Sequence, residues 1–288
     1  MIPGTRPAPV SERFPFVRRV RLQPDRRYTS FFMETVVRAL DGQMALVTGA
    51  SRGLGRVIAL ALADAGASLH LVADGTEEEL AHVAADCVER CPTSRVSRAT
   101  LDLSRPETPA AMVEAAVGAH GRIDVLVNNA GVRNRKPFGQ FSADDFDRLM
   151  AVNLRAPMLA AQAAAAHMRT RGSGRIINVA SQLGTVTDTG ASLYGMSKAA
   201  LLYLTRSMAV ELAESGIVVN AVSPGTTATE FILSTMTGAR LTSRVAKIPA
   251  GRLGLPDEIA QAVLFLATTP ATFLLGHNLI IDGGENAT

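Results

Sequence analysis

Met44-Ala45-Leu46-Val47-Thr48-Gly49-Ala50-Ser51-Arg52-Gly53-Leu54-Gly55 decides the fold. Its first four residues form an unbroken apolar run, the mark of a short strand buried on both faces. Three glycines follow at the spacing Gly-x-x-x-Gly-x-Gly, and Arg56 to Ala65, rich in Ala, Leu and Ile, reads as a helix. Strand, glycine turn and helix in that order open a doubly wound dinucleotide-binding sheet. Gly49 permits the tight turn, Gly53 lets backbone approach a pyrophosphate, and Gly55 lets helix lie close on strand. The helix N-terminus then offers free amides and a partial positive charge to the phosphates.

Outward from this turn, strand and helix patterns alternate to the end of the chain. Strands are predicted near 44–48, 68–73, 96–101, 123–128, 174–180, 216–222 and 278–281. Helices are predicted near 54–65, 76–90, 107–119, 143–168, 192–214 and 257–267. This is the pattern of α/β class: a single doubly wound Rossmann domain over 41–288 with a mostly parallel, seven-stranded sheet. Residues 226–251, polar and punctuated by glycine, have the length of a lid or binding loop.

Chemistry is carried by Tyr194-Gly195-Met196-Ser197-Lys198. On a helix, residues i and i+4 share a face, so a phenol and an ammonium stack one turn apart. A free tyrosine titrates at about 10, and a fixed cation beside it favours the phenolate. Thirteen residues upstream, the apolar run Ile176 to Ala180 ends on Ser181, a strand that delivers a hydroxyl.

Together these motifs resemble the short-chain dehydrogenase/reductase family over about residues 42–284, in look nearest to its 3-oxoacyl-carrier-protein reductases and its sugar-acid or polyol dehydrogenases. The resemblance implies a catalytic set of Asn153, Ser181, Tyr194 and Lys198. Ser181 and Tyr194 would bond the substrate oxygen, with Tyr194 as proton donor. Lys198 would lower the tyrosine pKa and bond the cofactor ribose, and Asn153 would hold a water linking Lys198 to solvent. Asp102, with Leu103, matches the residue that meets the adenine amine. Asn129, Ala130 and Gly131 would line the adenine ribose, while Asn128 would bind backbone across the sheet. Pro224 and Gly225 match the turn beside the nicotinamide, and Thr229 the threonine that touches its carboxamide. Thr227 departs mildly from the apolar β-branched residue usual there. Gly251 to Pro256 and Asp282-Gly283-Gly284 match segments near the end of the family pattern. The implied reaction is hydride transfer between a nicotinamide and a ketone or secondary alcohol. A catalytically silent dinucleotide-binding sensor on the same fold is the alternative; such a protein would lack at least one of the four residues.

Thr48, Gly49, Ser51, Arg52, Gly53, Leu54 and Gly55 form the expected phosphate cradle. Cofactor choice pulls two ways: Arg52 resembles a reader of a 2′-phosphate, whereas Asp74, at the end of the second strand, would repel one and bond ribose hydroxyls. The balance falls slightly to NAD(H), with NADP(H) open. Arg133, Arg135 and Lys136, beyond the fourth strand, are candidate cations for an anionic or acyl-carrier substrate, or simply solvated surface.

Composition bounds the remainder. Hydrophobic content of 47% with 19% charged residues provides an ample core. No run approaches the roughly 18 apolar residues of a membrane span. Residues 1–32 hold seven arginines against Glu12 and Asp25, a net +5 within a chain of +3, so the remainder is −2 and offers no nucleic-acid surface. That head, placed in an extension spanning 1–40, reads equally as a disordered or surface-hugging extension or as sequence upstream of a start at Met33; a targeting peptide fits its composition less well. Cys87 and Cys91 read as unpaired thiols on one helix, in keeping with a reducing cytoplasm. Family resemblance adds a homodimer or homotetramer formed through helices 143–168 and 192–214, and a small-molecule substrate with no nucleic acid or membrane partner.

Overall fold

Seven strands pair in the order β3-β2-β1-β4-β5-β6-β7: β1 (Met44–Thr48), β2 (Ser68–Ala73), β3 (Val96–Thr100), β4 (Val125–Asn128), β5 (Gly174–Val179), β6 (Ile217–Pro224) and β7 (Asn278–Ile281). The structure is a computed structural model that describes residues 38–287; the arginine-rich head and the readings made of it lie outside the described residues. Each neighbouring pair is parallel, where the sequence predicts a mostly parallel sheet. Parallel pairing requires crossover helices, and these cover both faces.

Side-chain alternation sorts the core into two layers. Ala45, Val47, Val125 and Val127 point to one face, against α1 (Gly53–Asp64), α2 (Glu77–Arg90) and α9 (Pro256–Thr268). Met44, Leu46, Leu126 and Ile176 point to the other, against α3 (Thr108–His120), α5 (Ala156–Arg169) and α6 (Ser192–Leu212). Leu40, 1% exposed, belongs to the first layer, and its N–H donates to Ala65 O at 2.9 Å. The folded body therefore takes in Leu40, inside the stretch read from sequence as extension.

The helix predicted over 143–168 is interrupted. It runs as α4 (Ala143–Met150), a wide π turn over Ala151–Arg155, and then α5. Pro157 explains the break: without an N–H it cannot donate to the carbonyl of Asn153, four residues back, and its ring crowds that carbonyl. The Ala156 N–H bonds Ala151 O instead, five residues back. Residues 226–251 carry two short helices, α7 (Glu230–Thr235) and α8 (Gly238–Val245).

Cys87 lies in α2 and Cys91 just beyond its end. Both are buried and free, and burial pushes the Cys87 thiol up to about 12, which leaves it unreactive. Among the described residues no group of His, Cys, Asp and Glu could hold a metal, and no helix is long and apolar enough to cross a membrane.

Candidate active site

Because the sheet is parallel, the carboxyl ends of β1, β4, β5 and β6 share one edge, and sequence order reverses between β1 and β4. A crevice opens at such a switch point. Here it is a cleft of ≈ 1220 Å³ whose lining includes Arg52, Asn129, Ser181, Tyr194, Lys198 and Gly225. Its floor depends on two glycines. Gly49 has φ +66°, and a Cβ there would stand 2.9 Å from Asn129 Nδ2. A Cβ on Gly55 would stand 2.6 Å from the same nitrogen and overlap the Gly49 carbonyl oxygen. Helix α1 thus starts as near to β1 as two backbones can come, with its N-terminus turned to the cleft.

Of the four predicted catalytic residues, Ser181, Tyr194 and Lys198 line the same cleft and Asn153 is buried beside them. Ser181 follows β5, and its Oγ accepts from Leu183 N at 3.2 Å, which leaves the hydroxyl proton to donate. Tyr194, in the first turn of α6, lines the cleft with Ser181, whose hydroxyl helps to hold the phenol's pKa down. Lys198, one turn on and 3% exposed, donates from Nζ to Val179 O at 2.8 Å. Asn153 is fully buried in the π turn; its Nδ2 donates to Val132 O at 2.9 Å and to Ser197 Oγ at 3.1 Å, and its Oδ1 accepts from Val132 N at 2.8 Å. Gly131 joins the two halves, since a Cβ there would lie 3.4 Å from Asn153 Oδ1 and 3.5 Å from Lys198 Nζ.

The electrostatics revise one expectation. Burial raises the Tyr194 pKa; the cation that opposes it is Arg133, assisted by the Ser181 hydroxyl. The family resemblance gives that role to Lys198. Its ammonium donates to the Val179 carbonyl and stands over the Tyr194 ring at 5.9 Å, as the Arg133 guanidinium carbon does at 5.8 Å. Burial also pulls Lys198 down to about 8. A lysine lowered from 10.5 to about 8 holds fewer protons folded than unfolded between those values, so stability rises with pH across that window. Below pH 8 the full penalty applies, on the order of 3 kcal/mol. Lys198→Met should therefore raise the melting temperature at pH 7 by on the order of 5 °C. The gap from the wild type should close as pH approaches 10.5. Equal melting temperatures of the two proteins from pH 7 to 10 would refute the buried-cation assignment.

The remaining predicted contacts divide. Leu54, Gly131, Pro224, Thr227 and Thr229 line the cleft with the residues already named. Thr229 also caps α7 through its hydroxyl, and Thr227 donates to Gly225 O at 3.1 Å. Thr48 ties β1 to β4: its hydroxyl accepts from Asn129 N and Ala130 N, both at 3.0 Å. β1 and β4 need that hydroxyl to satisfy two amides at the switch point, so Thr48 shapes the floor. Asn129 Nδ2 closes the same junction on Thr48 O at 2.9 Å, and Asn128 bonds Asn178 across the sheet at 2.9 Å. Asp102 is exposed beyond β3, its carboxylate accepting from Ser104 N at 2.9 Å. Asp74 is exposed just past β2, beside the turn that holds Ser51, Arg52 and Gly53: Ala50 N donates to Val72 O at 3.0 Å, and a Cβ on Gly75 would lie 3.2 Å from Ser51 Oγ.

Two features escaped the sequence reading. Pro157, inside a stretch read as one helix, is the visible signal of the π turn. The second is a clamp in which Glu285 accepts from Arg244 of α8 at 2.5 Å and from Gln182, beside Ser181, at 2.8 Å. It ties α8 to the turn after Ser181, and nothing in the local spacing of Glu285 announces it.

The sequence model of the enoyl-(acyl carrier protein) reductase family matches residues 49–286. The chain belongs to the short-chain dehydrogenase/reductase family. Its similarity to a 3-oxoacyl-[acyl-carrier-protein] reductase of Vibrio cholerae is 37% identity, over 85% of this chain and 98% of that one. To the gluconate 5-dehydrogenase of Gluconobacter oxydans it is 36% identical, over 85% of this chain and 95% of the other. The crystal structure of levodione reductase superposes with a TM-score of 0.81 at 33% identity, covering 86% of this chain and 99% of that chain. As a short-chain dehydrogenase/reductase, the protein is an oxidoreductase of CH–OH and carbonyl groups that uses a nicotinamide cofactor.

Proposed function

We propose that this enzyme interconverts a ketone and a secondary alcohol, with Tyr194 as general acid and base and NAD(H) as the preferred cofactor. The observation that carries the reading is that Ser181, Tyr194 and Lys198 line one cleft with Asn153 buried beside them, next to Gly131 and Ser197. A complete set of four weighs against the catalytically silent alternative.

The cleft fits a dinucleotide on structural grounds. Gly49 and Gly55 keep the turn free of side-chain atoms, α1 presents its N-terminus, and the floor amides are already satisfied by Thr48. Arg52, Gly53 and Leu54 would hold the phosphates, and Lys198 the ribose hydroxyls. Asp74 at the end of β2 supports NAD(H), because a carboxylate there favours free ribose hydroxyls over a 2′-phosphate. When bound, the cofactor supplies the hydride chemistry.

The protein's part is proton and charge management. In reduction, the substrate oxygen accepts from the Ser181 and Tyr194 hydroxyls, and Tyr194 passes its proton as negative charge grows there. Arg133 and Lys198 then face the phenolate, each a cation near the ring. The Asn153 carbonyl, left without an α-helical donor by Pro157, is an acceptor for the water that reprotonates Tyr194 through Lys198. Oxidation reverses these steps.

The test is a panel of ketones and secondary alcohols assayed with NADH, NADPH and their oxidised forms at the nicotinamide absorbance. Turnover with kcat/KM at least tenfold higher for NAD(H) is expected. A preference for NADPH would transfer the reading role from Asp74 to Arg52, and silence on the whole panel would refute the oxidoreductase mechanism for these residues.

A further inference from the structure

The cations around the substrate end of the cleft are not equivalent. Arg135 donates to Asp188 at 2.6 Å and to the Thr189 carbonyl at 3.0 Å. Lys136 is paired with Asp145 at 2.6 Å, and Arg244 with Glu285 at 2.5 Å. Arg133 lines the same cleft and, among the described residues, has no ion pair and no hydrogen bond partner; Arg240 and Lys247 line it unpaired as well, but neither stands against Tyr194. Its guanidinium carbon stands 5.8 Å from the Tyr194 ring centroid, within the range of a cation–π contact. A contact of this length uses the charge of the guanidinium and leaves its N–H groups free to donate.

The surroundings keep that charge unneutralised. The electrostatic neighbours of Arg133 include two cations, Arg135 and Arg244, against Asp188, and Asp188 is already held by Arg135. Desolvation within the cleft and these cations hold the Arg133 pKa below the usual arginine value, yet the residue is exposed, so its charge is open to an incoming anion. Arg133 lines the same cleft as the Ser181 and Tyr194 hydroxyls. A planar oxyanion fits a guanidinium through two parallel N–H···O bonds.

We propose that Arg133 reads a carboxylate carried on the same small molecule as the reacting carbonyl or alcohol, so that the substrate is a keto acid or hydroxy acid. This rests on the oxidoreductase reading above and narrows it. The similarity to a dehydrogenase named for gluconate, itself a hydroxy acid, runs in the same direction. Arg133 has two duties in this arrangement. It orients the substrate by its charge, and it sits beside the tyrosine that moves the proton. An anion bound at Arg133 also cancels part of the charge that lowers the Tyr194 pKa, which favours the protonated phenol once a keto acid is seated.

The test compares 4-oxocyclohexanecarboxylate with its methyl ester, and levulinate with its methyl ester, in the wild type, Arg133→Gln and Arg133→Lys. The wild type should prefer each acid, and Arg133→Gln should lower the acid-to-ester ratio of kcat/KM by about 10–100-fold, mostly through KM. Arg133→Lys should restore part of that ratio. Were Arg133 only a tuner of Tyr194, acid and ester would fall together through kcat and the pH profile; an unchanged ratio overturns the proposal. Calorimetric binding of cyclohexanecarboxylate, which cannot react, supplies the readout independent of turnover. Binding by the wild type that weakens at least tenfold in Arg133→Gln supports the carboxylate site even if no ketone turns over, in which case the catalytic reading fails alone. Equal binding by both proteins, or none by either, overturns the proposal while leaving any observed turnover to stand.

Discussion

Tyr194→Phe lowers kcat by about 10²–10⁴-fold in both directions while the cofactor Kd, read by fluorescence titration, stays within about twofold. The substitution keeps the ring under Arg133 and removes only the hydroxyl whose pKa Ser181 helps to hold down. Nothing else in the cleft can replace it. Lys198 is aimed at the Val179 carbonyl, and Ser181 is too weak an acid to act by itself. The pH dependence follows with its sign. Burial holds the Tyr194 pKa above its ordinary value, so the phenolate needed for alcohol oxidation gains population as pH rises, and the phenol needed for reduction is the resting form at neutral pH. Oxidation should therefore climb with pH up to the limit of protein stability, and reduction should be level through neutrality. A Phe variant with near-normal kcat would remove Tyr194 from the chemistry altogether.

Gly55→Ala has the second large effect, and it acts on the cofactor side. One methyl group would stand 2.6 Å from Asn129 Nδ2 and overlap the Gly49 carbonyl oxygen. Neither neighbour can yield cheaply, because Asn129 Nδ2 donates to Thr48 O at 2.9 Å and to Gly49 O at 3.3 Å, the bonds that close β1 onto β4. Overpacking of this kind costs about 1–3 kcal/mol, or roughly 2–4 °C of melting temperature per kcal/mol for a chain of this size. The displaced turn should also raise the cofactor Kd at least tenfold in calorimetry. A variant with wild-type melting temperature and Kd would mean that α1 does not pack on β1 as described.

The order of strands and helices was legible because each carries a local signature: apolar runs of four to six residues, three glycines at fixed spacing, and Tyr/Lys one helical turn apart. These signals survive without knowledge of distant contacts. What was illegible depended on partners far along the chain. The carbonyl bonded by Lys198 belongs to Val179, nineteen residues earlier, and the cation that acts on Tyr194 is Arg133, on the far side of β5. Thr48 looks like a cofactor contact from its place in the motif, and the β1–β4 junction also claims its hydroxyl. The π turn is hidden because the alanines around Pro157 favour a continuous helix so strongly.

The wide turn at Ala151–Arg155 also works as a phase shifter. It holds one residue more than an α-helical turn, and one residue corresponds to about 100° of rotation about the axis. A regular helix drawn through the same letters would swing Ala160, Ala161, Ala164 and Ala165 away from the sheet layer they now fill, or else rotate Asn153 off the backbone of Val132. The added residue lets a single rod serve two masters whose angular demands do not match, the packing at its far half and the bonds of Asn153 to Val132 at its near half.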